Sequence, residues 1–303
     1  MTRPRHTARA TVSVGAMALV LAACGSSGTP ASGGGSTATP TAAVAQKVAS
    51  IAAEVPAAIS SKGTLIVAAD ATYAPNEFLA ADGTTVRGMD ADLAQALGTV
   101  MGMTASVQNI TFDSIIPGII GGKYDAGMSS FTDTKAREAT IDFVTYFSAG
   151  TSFFTKKGGP SIGSLTDLCG HTVSVEKGTT QADDATAQDA KCKAAGKTGV
   201  TALVFTDQNQ TNLALQSGRA EVSMADSPVA AYQVQQSNGQ FVLSGSPYGT
   251  APYGIALPKG NGMTKPILDA LTELIKDGVY QSILAKWGVQ SGAITNPAIN
   301  QGS

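Results

Sequence analysis

Only two histidines occur in the 303 residues, His6 and His171. A hydrolytic triad or a Cys–His pair would have to be built on one of them. His6 lies in the leading basic segment, and His171 stands in Gly170-His171-Thr172 at the start of an apparent strand, the place of a strand-edge residue. Metal chemistry is equally short of donors: the three cysteines, Cys24, Cys169 and Cys192, form no CxxC pair, and partners for a metal site are missing. A GxxxxGK[ST] phosphate loop is absent from the sequence. A net charge of −2 argues against nucleic acid as a partner. The chain is thus poor in catalytic groups, and no cofactor is expected.

The segments around these residues define an address. Arg3, Arg5 and Arg9 precede an apolar run from Ala10 to Ala23, which reads as an export signal and is too short to span a bilayer comfortably. The run ends in Leu21-Ala22-Ala23-Cys24, which resembles the bacterial lipobox, so residues 1–23 are expected to be removed and Cys24 lipidated. The product would be anchored to the outer face of the cell membrane. With Cys24 acylated, Cys169 and Cys192 remain, and an oxidising compartment favours one disulfide between them, stabilising by about 3 kcal/mol through loop closure. From Gly25 to about Thr41 the composition is Gly, Ser, Thr, Ala and Pro, and residues 24–60 are assigned to a flexible anchored linker. Within it, Val44, Val48, Ile51 and Val55 keep a helical spacing.

The elements that must position any site begin near Ser61. Thr64 to Ala69 reads as a buried strand, Asp90 to Met101 as a helix with Asp90 as a candidate N-cap, and Ser114 to Ile120 as a helix. Further strands are expected at Tyr124 to Ser129, Ser152 to Thr155, Thr172 to Val175, Thr201 to Phe205, Glu221 to Met224 and Tyr253 to Leu257. Helices follow Gly178-Thr179-Thr180, cover Gln210 to Ser217 and Pro228 to Gln235, and carry Ile267, Leu271, Leu274 and Ile275. Such βα alternation predicts mostly parallel sheets covered by helices, with ligands at the carboxyl ends of the strands.

Across Gly63 to Val289 the sequence resembles family 3 of the bacterial solute-binding proteins, which serve ABC importers of polar amino acids. The resemblance rests on an ordered series: Asp70-Ala71-Thr72-Tyr73-Ala74-Pro75-Asn76-Glu77-Phe78, Gly88-Met89-Asp90-Ala91-Asp92-Leu93, Phe112-Asp113-Ser114-Ile115-Ile116-Pro117, Gly122-Lys123-Tyr124-Asp125, Ser129 to Arg137, Ile141-Asp142-Phe143, Gly178-Thr179-Thr180 and Asp226-Ser227-Pro228. It implies a two-lobed α/β fold of the type II periplasmic-binding-protein kind, with mixed, mostly parallel sheets and two hinge crossovers, near Phe147 to Ser152 and Tyr248 to Tyr253. Residues 61–150 and 253–290 would form lobe 1, residues 151–252 lobe 2 with the hinge strands, and residues 291–303 a C-terminal tail.

The resemblance also implies the site. Arg137 matches the family's carboxylate-binding arginine, and Asp226 its acceptor for a ligand ammonium. A buried zwitterion needs both, because either charge left unpaired is costly. Ser130, Thr132 and Thr180 would fill remaining hydrogen bonds, with Ser129 as a less central neighbour. Tyr73 and Phe112 match aromatic positions flanking the ligand side chain, and Asp70 an acidic position at the cleft mouth. Asp226 could instead be only a helix N-cap. Glu176 reads either as a specificity position or as an exposed strand-end glutamate. The expected partners are a small polar amino-acid-like ligand and a membrane permease, with the chain itself a monomer. A secreted dehydratase on the same fold, using Glu176 as acid or base, and a sensing module are the alternatives.

Overall fold

The computed structural model describes residues 44–302. The export signal, Cys24 and the Gly/Ser-rich part of the linker lie outside the described residues, as does Ser303.

Eleven strands and ten helices follow one another among the described residues. The first half of the chain holds α1 (Ala49–Glu54), α2 (Ala57–Ser60), β1 (Thr64–Ala69), β2 (Thr72–Tyr73), β3 (Glu77–Leu79), β4 (Val86–Arg87), α3 (Met89–Val100), β5 (Thr104–Asn109), α4 (Phe112–Ile120), β6 (Ala126–Gly127), α5 (Lys135–Glu138) and β7 (Ile141–Lys156). The second holds β8 (Thr172–Glu176), α6 (Thr180–Ala194), β9 (Thr201–Phe205), α7 (Gln208–Ser217), β10 (Val222–Asp226), α8 (Ser227–Gln236), β11 (Phe241–Pro258), α9 (Thr264–Lys276) and α10 (Val279–Trp287).

The main sheet has the order β5-β1-β6-β11-β7-β10-β8-β9. At one end β5, β1 and β6 run parallel, and at the other β8, β9 and β10 do. Between them the long strands β7 and β11 pair antiparallel with each other and reach both ends, so they are the two connections between lobes. Their register slips between Ser244 and Tyr248, Tyr248 and Ala251, and Tyr253 and Gly254. Gly249 lies within this stretch at φ +60°, a conformation that L side chains rarely adopt. Each lobe has its own apolar centre. Leu65, Val67, Leu93, Leu97, Ile255 and Leu271 pack in the first, and Phe153, Leu168, Val173, Val175, Val222 and Met224 in the second. The disulfide joins Cys169 to Cys192 on α6 and lies wholly in the second lobe.

Three local expectations need correction. Asp90 is not the cap of α3: Gly88 holds that position at φ +128°, and the first turn is bonded by backbone, Met89 N–H to Pro75 O and Asp90 N–H to Asn76 O. Asp90 instead points inward, fully buried. Residues 45–60, grouped with the linker from sequence, pack on the first lobe, where Ile51 and Val55 are buried, while Pro56 splits the helical pattern into α1 and α2. The segment 291–302, expected as a tail, folds back, and Ile299 bridges to Val144 of β7.

Candidate functional site

The carboxyl end of β1 delivers Asp70, whose carboxylate accepts from Thr72 Oγ1 at 2.7 Å and from the Phe112 N–H at 3.0 Å. The second bond places a carboxylate at the N-terminus of α4, where the helix dipole favours it. Burial nevertheless raises the Asp70 pKa above its ordinary value.

Behind it the loop 129–134 is held from several sides. Ser129 Oγ accepts from the Asp70 N–H at 2.9 Å and donates to Glu77 at 3.2 Å. Ser130 lies at φ +54°, a costly region for a non-glycine residue. Its N–H donates to Asp90 Oδ2 at 3.0 Å and its hydroxyl to Glu77 Oε2 at 3.3 Å. Asp90 is fixed in turn by the Tyr146 hydroxyl, 2.9 and 2.8 Å from its two oxygens, and burial lifts its pKa to about 6. A buried lattice of acids and hydroxyls therefore maintains the strained backbone that presents Thr132 and α5.

Arg137 leaves α5 with its guanidinium over two rings, 5.5 Å from the Phe112 centroid and 5.4 Å from that of Phe131. The rings themselves stack at 4.4 Å. Nη1 donates to Thr132 O at 2.8 Å, and Nη2 crosses to the second lobe to donate to Gly178 O at 2.9 Å. The arginine is thus oriented by neutral groups, and burial lowers its pKa from the ordinary value. No carboxylate lies within 4.0 Å of it among the described ion pairs.

From the second lobe, Thr179 caps α6, its Oγ1 accepting from the Ala182 N–H at 3.2 Å and donating to Glu176 O at 2.7 Å. The α6 start therefore presents Thr180 and Gln181 to the cleft. Asp226 ends β10 at the N-cap position of α8 but makes no side-chain capping bond. Its carboxylate accepts from Tyr253 OH at 2.6 Å and Gln181 Nε2 at 2.7 Å. Burial raises its pKa to about 6 despite these donors and the charge of Arg137. The N-cap-only reading of Asp226 is thereby set aside.

All nine positions singled out from sequence border one cavity: Asp70, Tyr73, Phe112, Ser129, Ser130, Thr132 and Arg137 from the first lobe, Thr180 and Asp226 from the second. About 300 Å³ of non-atom space, open solvent included, lies among these residues. Glu77, Glu176, Thr179 and Gln181 complete the wall. Glu176 is 3% exposed and its Oε1 has no hydrogen-bond partner, so the exposed strand-end reading is wrong. Burial first, and the Asp70 charge second, push its pKa well above the usual carboxylate range. Sequence reasoning did not single out Phe131 and Gln181 as site residues. Both adjoin residues it did choose, and their roles follow from a ring stack and a 45-residue-distant hydrogen bond that no local pattern encodes.

The lobes touch across the cleft. Lys177 Nζ lies 2.7 Å from Asp113 Oδ2, the Gln208 N–H donates to Thr72 Oγ1 at 3.1 Å, and the Asp226 N–H donates to the Tyr73 hydroxyl at 2.9 Å. Gly178 fits closely here, since a Cβ would lie 3.1 Å from Asp113 Cβ. These contacts describe a closed jaw around a small polar chamber.

A two-lobed α/β frame that encloses such a chamber between its halves is the architecture of an extracellular solute receptor, and the chain belongs to the bacterial extracellular solute-binding proteins, family 3, whose sequence profile matches residues 65–290. The arginine-binding protein ArgT of Corynebacterium glutamicum is 34% identical over 259 residues, 85% of each chain. Among solved structures, an ancestral arginine-binding protein bound to arginine aligns with a TM-score of 0.68 at 36% identity, over 74% of this chain and 98% of that one. An ancestral arginine-binding protein bound to glutamine aligns equally, with a TM-score of 0.68 at 36% identity, over 75% and 98%.

Proposed function

We propose that this chain is the amino-acid receptor of an ABC importer, anchored to the membrane through Cys24, and that its ligand is a basic amino acid, arginine above all. Arg137 would take the ligand carboxylate in a bidentate pair, and Asp226 the α-ammonium, with Thr132 O and the α6 N-terminus completing the shell. The observation that carries the choice of a cationic side chain is Glu176. A buried carboxyl with an unpartnered oxygen stands beside a second carboxyl, Asp70, in a cavity whose four lining acids face a single cation. A guanidinium placed between Asp70 and Glu176 would satisfy that oxygen and relieve the repulsion. The arginine-binding C. glutamicum relative and the ancestral arginine-binding structure with bound arginine support this reading, and the glutamine-bound form marks the neutral competitor to test against. Ligand would bridge the lobes and stabilise the closed state for recognition by a permease.

The test is a thermal-shift panel of the common amino acids on the processed protein at pH 7.5. Ligand at a hundred times its dissociation constant adds about 2.7 kcal/mol of stability. Arginine is expected to give the largest shift, followed by lysine. A panel led by acidic or purely apolar amino acids would refute the assignment.

A further inference from the structure

A second opening adjoins the chamber on its hinge side. The long strands β7 and β11 line it with Ala149, Gly150, Gly249 and Ala251, side chains too small to fill it, and it reaches the surface at Gly249, which is exposed. Thr132, Thr180 and Asp226 border both this groove and the chamber, so only their side chains stand between the two spaces. Asp226 is the residue read above as the partner of the ligand α-ammonium. The groove therefore begins where the α-nitrogen would lie, whereas Arg137, at the carboxylate end, does not border it.

The groove's chemistry is that of an acceptor. Thr134 and Thr151 add hydroxyls, Asp184 of α6 adds a carboxylate, and no lysine, arginine or histidine stands among the residues that line it. The Tyr248 hydroxyl donates to Asp184 Oδ2 at 2.7 Å, and the Tyr248 ring is itself stacked on Phe153 at 5.2 Å, so this carboxylate is held in place. Among the described residues no cation pairs with Asp184. On the chamber side Gln181 Nε2 donates to Asp226 Oδ1 at 2.7 Å and to Thr151 Oγ1 at 2.9 Å, tying the shared wall together. A neutral or cationic group suits such a groove, and an anionic one would lie against two carboxylates without a counter-charge.

We propose that this groove is a second subsite, for an N-terminal extension of the ligand, so that the receptor also takes dipeptides in which a small neutral residue precedes arginine. The inference rests on the reading of Arg137 and Asp226 given above. The C-terminal arginine keeps its place in the chamber, its amide N–H donates to Asp226, and the peptide's terminal ammonium, one residue further out, meets Asp184. Threonine hydroxyls of the shared wall donate to the peptide carbonyl.

Titration calorimetry on the processed chain at pH 7.5 tests this with L-arginine, glycyl-L-arginine, L-glutamyl-L-arginine and L-arginylglycine, in the wild type, Asp184→Asn and Asp184→Lys. Glycyl-arginine is expected to bind the wild type within about tenfold of arginine, the scale of one charge-assisted hydrogen bond gained or lost. Arginylglycine, extended at the end that Arg137 closes, should be weaker by a few hundredfold or more, the effect of a displaced buried charge pair. Asp184→Asn should weaken glycyl-arginine roughly tenfold and leave arginine within about threefold. Asp184→Lys should reverse the order of glycyl-arginine and glutamyl-arginine. Glycyl-arginine bound no better than arginylglycine overturns the proposal, and so does a loss in Asp184→Asn that is equal for arginine and glycyl-arginine, which is how a merely structural residue behaves. An unchanged peptide order in Asp184→Lys overturns it as well. A wild-type chain that binds no amino acid refutes the reading of the chamber and the subsite with it, whereas tight arginine binding without glycyl-arginine binding refutes the subsite only.

Discussion

Replacing Glu176 with glutamine separates recognition of the ligand side chain from recognition of its α-groups. The residue is 3% exposed, with one oxygen unpartnered, so a cationic side chain reaching it would form a charge-assisted bond of about 1.5–3 kcal/mol. Asp70 remains in the variant, so the ligand charge is not stranded and the larger loss of about 3–5 kcal/mol for breaking a buried pair does not apply. A loss of about 2 kcal/mol corresponds to roughly thirtyfold in affinity for arginine. Glutamine carries no side-chain charge, and its affinity should stay within about threefold. Direct calorimetric titration of both ligands at pH 7.5 reads the ratio. Equal losses for arginine and glutamine, or none for arginine, would refute the assignment of Asp70 and Glu176 as a cation subsite. The unliganded variant should also melt higher, because Glu176 no longer opposes burial and the Asp70 charge.

The pH response of Asp226 gives two opposite slopes. Its folded pKa, about 6, lies above the ordinary 3.8, so the stability it contributes to the unliganded fold is present below pH ~4 and lost as pH rises through ~6. A ligand ammonium needs the carboxylate, so arginine affinity should fall by up to about tenfold per pH unit below 6, and Asp226→Asn should flatten both curves in melting and titration experiments. Tyr73→Phe removes the acceptor of the Asp226 N–H, leaving that donor unpaired on closure at a cost of about 1–3 kcal/mol, seen as weaker arginine binding with little change in the open state. Cys169→Ser with Cys192→Ser should lower stability by about 3 kcal/mol in denaturant titrations while leaving arginine affinity within a few-fold, because neither cysteine borders the cavity.

Much of the lining of this candidate cavity is legible in the sequence, and the reason is visible in particular residues. The ordered motifs carry Asp70, Tyr73, Arg137 and Asp226, which lie at the carboxyl ends of strands or in the loops after them, where an open α/β sheet presents its ligand groups. Glu176 could not be placed because strand-end orientation depends on how β8 meets the opposite lobe, not on its own alternation. Asp90 looked like a cap because an acid at a helix start normally is one. Its burial follows from Tyr146, 56 positions away. Least legible was the segment 298–302, which shows no periodicity and whose partners on β7, on α5 and in the loop before α5 lie more than 150 positions upstream.

The most direct trial of the account is calorimetric titration of L-arginine into the processed wild-type chain and into Arg137→Ala at pH 7.5. A single saturable site in the wild type, weakened a few hundredfold or more in the variant as about 3–5 kcal/mol of buried charge pairing is lost, is the predicted result. Arginine bound as tightly by Arg137→Ala as by the wild type would contradict it.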